Sequence, residues 1–282
     1  FFFKQKTAYE MLRSLVGSEM RIRDSCCAHA SYGNGTFFNS AGATVNGNVE
    51  AYSITNSGTI RGTVRQIGRA RELPASTTVA YYRGLATSIP WSSIPSAKIE
   101  KCILNHNTNP FGSANPDGLY AITMQANLTI ENCRIKGTLV VDTGASRKLT
   151  IGKGISWEPH RPDYPALIVV GACEIAMETS LSEPTTGTNY NPEGFPYQEE
   201  TDSDTLDTYP GVIEGVVYIE NGPVTVRTAT RIEGSLIVVG PVTVKNTVTV
   251  NYNPNHALNP PKRYRATRLN AVLGTWRREL SL

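Results

Sequence analysis

One short phrase limits the fold more than any other feature of the chain: an apolar residue, any residue, glycine, any residue, then an apolar run. It reads VNGNV at Val45 to Val49, IRGTV at Ile60 to Val64 and IKGTLVV at Ile135 to Val141. It returns as IEGVVYI at Ile213 to Ile219 and IEGSLIV at Ile232 to Val238. The step from Gly47 to Gly62 is fifteen positions and that from Gly215 to Gly234 is nineteen, while the seventy-eight from Gly137 to Gly215 read as four steps of nineteen or twenty. A second phrase, IEKCIL at Ile99 to Leu104 and IENCRI at Ile130 to Ile135, returns after thirty-one positions. Repetition on this scale marks units that cannot bury their apolar face alone and stack on their neighbours.

Within each unit apolar residues alternate, as in Val224-Thr225-Val226 and Val242-Thr243-Val244, which is the period of a strand with one buried side. Asn221-Gly222-Pro223 and Gly240-Pro241 supply turns between them. The expected architecture is all-β: a parallel, right-handed β-helix or solenoid over 40–251, with loop insertions at about 66–97, 105–119 and 182–210. Residues 26–39 are expected to be a truncated linker and 252–282 a C-terminal cap. A β-sandwich also has short, evenly spaced strands, but it has no reason to reuse one glycine-centred phrase. Helical content is expected to be low and confined to residues 1–25 or the edges.

The opening segment 1–25, FFFKQKTAYEMLRSLVGSEMRIRDS, reads like nothing that follows. Reverse translation gives runs resembling short-read sequencing adapters, so the segment is read as translated adapter and the native start is expected upstream. Removing it takes five of the 27 Lys and Arg and three of the 24 Asp and Glu, leaving 22 against 21. A nearly neutral body gives no electrostatic case for nucleic acid. No apolar run is long enough to form a membrane span, and any anchor is expected to precede Cys26.

Several residues invite chemistry. The insertion 182–210 holds seven acids and no base, and Asp202, Asp204 and Asp207 are candidate calcium ligands, calcium being the cofactor considered. The run lacks the glycine and distal glutamate of an EF-hand, so a solvated acidic loop is the plainer reading. Cys26, Cys27, Cys102, Cys133 and Cys173 form no CxxC pair, which argues against structural zinc. Cys102 and Cys133 share one phase of the repeat and are expected side by side facing inward, as packed thiols or as a disulfide. Trp157 and Trp276 are candidate sugar platforms, although a lone aromatic near a Pro-rich turn is more often a rung cover or a cap.

NPDGL at Asn115 to Leu119 and CRIKG at Cys133 to Gly137 resemble two signatures of β-helical polygalacturonases. The two fragments stand about one rung apart, too close for that family's layout, and the chain has no Asp-Asp pair or Gly-His-Gly, so no catalytic residue carries over. Asp117 is read as a turn residue, with Arg134 and Lys136 pointing outward around inward Ile135.

The phrases VNGNVEAYSITNSGTIRGTV and RIEGSLIVVGPVTVKNTVTV resemble the rungs of bactofilin-type polymer-forming proteins. GLYAI (Gly118 to Ile122), RIKGTLVV, WEPHRPDYPALIVVG, GVIEGVVYIENG, NPP (Asn259 to Pro261) and GTWRR (Gly274 to Arg278) resemble exported bacterial proteins in which a pilin-like, PilX-type anchor precedes a β-solenoid. That resemblance implies a non-enzymatic structural or adhesive protein outside the cytoplasm, at the cell surface or in the periplasm. The partners considered are pilus components, other surface proteins or a polysaccharide. A pectin-lyase-like carbohydrate-active enzyme and a bactofilin-like cytoskeletal polymer are the alternatives.

Overall fold

The computed structural model describes residues 27–30, 35–67, 73–251 and 260–264. The segment 1–25, Trp276 and most of the tail lie outside these residues. Among the described residues no helix is long and apolar enough to cross a membrane.

A first stack begins earlier than the sequence suggests. Strands β1 (Cys27–Ala30), β4 (Asn48–Ala51) and β7 (Val64–Gln66) pair in parallel, as do β2 (Thr36–Asn39) with β5 (Ser53–Asn56) and β3 (Thr44–Val45) with β6 (Thr59–Ile60). Val45 lies beside Ile60 and Val49 beside Val64, so the step from Gly47 to Gly62 is one rung. Residues 26–39, expected as a linker, thus contribute two strands. Buried Asn39 is tolerated there because its Nδ2 donates to Asn56 Oδ1 one rung on, at 2.8 Å, so the stack satisfies the amide itself.

Past residue 73 a 14-stranded sheet folds round into three faces. The first face carries β8 (Thr87–Ser88), β10 (Leu119–Thr123), β12 (Thr138–Asp142), β15 (Leu167–Val170) and the C-terminal halves of β19 (Val212–Glu220) and β21 (Thr230–Val239). The second carries the N-terminal halves of β9 (Lys98–Asn105) and β11 (Leu128–Lys136), then β13 (Lys148–Ile151), β16 (Ala172–Ile175), β20 (Val224–Val226) and β22 (Val242–Val244). The third carries the C-terminal halves of β9 and β11, then β14 (Ile155–Glu158), the N-terminal halves of β19 and β21, and β23 (Val248–Asn251). Every ladder among these strands is parallel, which is the expected all-β parallel solenoid.

The corners explain the glycine phrase. Gly215 and Gly234 sit on adjacent rungs where the third face turns into the first, and a Cβ on Gly234 would fall 2.1 Å from the Gly215 carbonyl oxygen. Only a residue without a side chain lets the backbones approach so closely. The corner between the second and third faces is made differently, by Lys101, Asn132 and Gly154, all with φ between 51° and 63°. There the left-handed conformation turns the chain sharply enough that β9 and β11 each serve two faces.

The stretch between Gly137 and Gly215 is not four rungs. Leu139 pairs with Leu167 and Leu167 with Val217, so only two rungs separate them. The remaining length is spent in the loop 159–166 and in the excursion 176–211. By contrast the longer step of the cysteine phrase is one rung, since Cys102 pairs with Cys133.

Inward side chains stack into one core that includes Leu104, Ile135, Leu139, Ile155, Trp157 and Val217. The first face is apolar on its outer side as well. Leu119, Val140, Ile168 and Tyr218 are covered by the helix Thr78–Leu85, through Val79 and Tyr82, and by Tyr264. This helix corrects the expectation that helices would sit only at the edges: it lies in the Pro-rich insertion and buttresses the side of the solenoid. It is held by Tyr82 Oη and Thr78 Oγ1, which donate to the Lys262 and Arg263 carbonyls at 2.9 and 3.3 Å.

Candidate functional site

The third face gathers the polar chemistry. Its outward positions alternate with inward Leu104, Ile135, Trp157 and Ile213, so each strand offers two side chains to the outside. One outward row runs Asn105, Lys136, Glu158, then Glu214, Glu233 and Asn251: Asn105 pairs with Lys136, Lys136 with Glu158, Glu214 with Glu233 and Glu233 with Asn251. The pairing of Ser156 with Val212 and Trp157 with Ile213 sets Glu158 beside Glu214. Three glutamates therefore stand on successive rungs, about 4.8 Å apart.

Like charges at that spacing repel, and the row shows how the repulsion is met. Lys136 Nζ lies 3.1 Å from Glu158 Oε1. Arg231 Nε and Asn251 Nδ2 donate to Glu233 Oε1 at 2.7 and 2.8 Å. Burial alone would raise the Glu233 carboxyl, but those two donors hold it below its ordinary value. Glu214 has no ion-pair partner among the described residues. Partial withdrawal of its carboxyl from water, then the charges of Glu158 and Glu233, push it above its ordinary value, with Arg231 and Lys136 opposing. Adjacent carboxyls pushed in opposite directions are the pattern of an acid and base pair.

Beside this row lies the long insertion, anchored by Arg134. That residue is 3% exposed, and its guanidinium donates to the carbonyls of Tyr190, Phe195 and Pro196 at 2.7, 3.0 and 2.6 Å. It also stacks 4.1 Å from the Phe195 ring centre and 5.1 Å from that of Tyr197. Burial lowers its pKa, an effect that the surrounding acids and tyrosines oppose. Arg134 points outward as expected, yet it is the floor on which the insertion is laid.

Within the insertion, β17 (Leu181–Ser182) and β18 (Thr208–Tyr209) pair antiparallel and close its neck. The short helix Glu183–Thr186 begins at Ser182, whose Oγ accepts from Thr185 N, and ends at Gly187 in the left-handed region. Glu183 is fully buried. Its Oε1 accepts from Tyr190 N at 2.5 Å and Tyr209 Oη at 2.8 Å, and its Oε2 from Asp207 N at 3.1 Å. Carboxylate oxygens of Glu183, Asp202 and Asp207 all lie within 4.8 Å of one another. Of the three expected calcium ligands the fold thus gathers Asp202 and Asp207, and Glu183 takes the third place. Asp204 is exposed and turns its Oδ1 to Leu206 N at 2.9 Å.

The other singled-out residues are structural. Trp157 is 1% exposed and donates to the Gly137 carbonyl at 2.9 Å, so it is core and not a sugar platform. Cys102, Cys133 and Cys173 are free thiols, with Cys102 Sγ 3.5 Å from Cys133 Sγ. Burial raises the Cys133 thiol well above its ordinary value and pushes that of Cys173 up to about 12, so neither is a thiolate at neutral pH. His106, which sits near Cys102 in sequence, stacks instead on His160 at 4.0 Å. Asp117 makes its turn and also meets Arg161 Nη1 at 3.0 Å.

The glutamate row and Glu183 are not among the residues singled out from the sequence. A signal for the row is present: the second position of the glycine phrase holds Lys136, Glu214 and Glu233, and a fixed position in a repeat is a column in space. Glu183 carries no such signal, because Asp202 and Asp207 belong to the far end of the same insertion. Comparison with protein-family models, with curated proteins and with solved structures returns no match.

Proposed function

We propose that the chain is the solenoid portion of an exported bacterial surface protein with a structural or adhesive role, associated with pilus components or other surface proteins. The observation that carries this reading is the last rung. Strands β22 and β23 end their ladders among the described residues, and Val242 and Val244 leave 46% and 56% of their surface in water. An unpaired parallel edge bearing apolar side chains is a surface on which further β-structure adds. The resemblance to anchored solenoids supplies the setting outside the cytoplasm. Fractionation and protease shaving of cells that express the protein test it: surface cleavage within 182–210 is expected, and retention in the cytoplasm overturns the reading. Filaments formed by the purified solenoid would favour the bactofilin-like alternative.

A second reading rests on the glutamate row. Glu214, with its raised carboxyl, would serve as general acid and Glu233 or Glu158 as its partner in cleaving a polysaccharide. Reducing-end release from a polysaccharide panel, abolished in Glu214→Gln, would establish it; equal background in both proteins removes it.

A further inference from the structure

We propose that Cys102 and Cys133 are a redox pair that closes to a disulfide between the first two rungs of the large solenoid, fastening an edge strand that is paired on one side only. Strand β9 meets β11 and no other strand among the described residues, so its rung is one from which the stack can peel. The two cysteines stand directly opposite each other in that ladder. Each follows a residue in the left-handed region, Lys101 at φ 53° and Asn132 at φ 51°, so both enter the third face along the same path and turn inward together.

Their sulfurs lie 3.5 Å apart. Neighbouring strands in a sheet run about 4.8 Å apart, inside the range of about 4.4–6.8 Å over which two Cα atoms accept a disulfide. The bond therefore asks for rotation of two side chains and no shift of the backbone. Reduced, the pair gains little, because a thiol is a weak donor and Cys133 Sγ reaches only the Glu131 and Ile99 carbonyls, at 3.1 and 3.5 Å. The next inward position of the same column is Ile155, which buries more apolar surface than a thiol does, so packing alone favours an aliphatic residue at both rungs. Cys173 is the contrast: its ladder neighbours on the second face are Leu149 and Val224, neither of which carries sulfur.

The oxidant is a small disulfide, and the two cysteines play different parts. Cys102 is partly exposed and Cys133 is fully buried, so Cys102 reacts first. Its thiolate bonds to one sulfur of the small disulfide, whose S–S bond breaks and releases one thiolate. Cys133 then gives up its proton and attacks the Cys102 sulfur, which releases the second thiolate. The protein loses two electrons and two protons, and the small disulfide gains both as it becomes two thiols. The cross-link ties β9 to β11 and also closes a loop in the unfolded chain, which is where a disulfide stabilises most. The exported setting proposed above is where such a bond persists, but the geometry stands without it: a chain found in the cytoplasm would refute that setting and leave the oxidation described next unchanged.

No Lys or Arg stands between Lys101 and Arg134, so trypsin releases both cysteines in one peptide, 102–134. The full folded chain should be equilibrated with oxidised and reduced glutathione, quenched with acid, alkylated in denaturant, digested and weighed by mass spectrometry. Expected is a 102–134 peptide two hydrogens lighter than its reduced form and closed to alkylation, reopened by dithiothreitol, while Cys173 stays open to alkylation throughout. A 102–134 peptide that still takes two alkyl groups, or that stops at a glutathione adduct on Cys102, overturns the pair. The oxidised chain should also melt about 4–10 °C above the reduced one, and Cys102→Ser, which cannot close the bond, should lose that difference. Should the variant fail to fold, the wild type decides: a midpoint that falls when dithiothreitol reopens the 102–134 peptide supports the fastening of β9, and an unchanged midpoint overturns it.

Discussion

The first and third faces of the solenoid are both covered from outside, and they are covered by opposite chemistry. Over the first face, Tyr82, Tyr164 and Tyr264 cover outward Leu119, Val140, Ile168 and Tyr218, with Tyr82 edge to face with Tyr164, Tyr264 edge to face with Tyr218, and Tyr82 tilted against Tyr264. Over the third, a buried arginine binds three carbonyls and a buried glutamate accepts three donors. An apolar cover is non-directional and loses stability in proportion to the area removed. A buried polar cover depends on every partner, so one missing group exposes the desolvation cost of the rest.

The largest effect should come from Arg134→Met. It strands two buried carbonyls and a part-buried one and removes the floor of the insertion, at a cost of about 3–5 kcal/mol. Denaturant unfolding measures the loss, and early proteolysis within 182–210 should accompany it. On the first face, Ile168→Ala should cost about 2–4 kcal/mol through a cavity under the helix, with no change in cleavage of the insertion. A smaller loss, about 1 kcal/mol, is expected for Tyr82→Phe, which keeps the ring and deletes the hydrogen bond to the Lys262 carbonyl. If Arg134→Met proves no more damaging than Ile168→Ala, the contrast between the two covers fails.

Acid should act on the two covers in opposite senses. The hydrogen bond from Arg161 lowers Asp163 from 3.8 to about 2, with help from Lys262. A depressed carboxyl contributes stability above its unfolded value, and that contribution fades as pH falls from about 4 to 2. Asp207 is raised, so its contribution is complete below pH 3.8 and is lost as pH rises through its higher folded value. Between pH 4 and 2 the contacts around Lys262 should therefore loosen while the insertion holds, as followed by tyrosine fluorescence and by proteolysis. Asp163→Asn should remove the first response. Lys262→Ala should do least, a change in denaturant midpoint close to the error of measurement, because its pair with Asp163 is half in water.

Much of this is legible in the sequence. A glycine at a fixed phase reports a close backbone approach between neighbouring rungs, as at Gly215 and Gly234, and Cys102 and Cys133 report their own adjacency. Neither cover is legible there. LYAI, TLVV and LIVV are apolar at consecutive positions because both sides of the first face are buried, and alternation cannot say which residues face outward. Trp157, with Pro159 and Pro162 close behind it, reads as a cover over a rung or a cap, yet it points inward from β14 and is core. Glu183 sits in Ser-Glu-Pro, where a helix start explains it locally; its meeting with Asp202 and Asp207 is set by how the insertion closes.

The glycine corners also make the height of this molecule a count. A rung can be added or removed only whole, because each strand must pair in register with the strands above and below it, and each rung adds one strand spacing of about 4.8 Å. Residues placed between corners add breadth and no height: the long stretch from Gly137 to Gly215 advances the solenoid by only two rungs. Chain length is therefore a poor ruler for reach here, and insertions that lengthen a loop should leave the distance between the two ends of the stack unchanged.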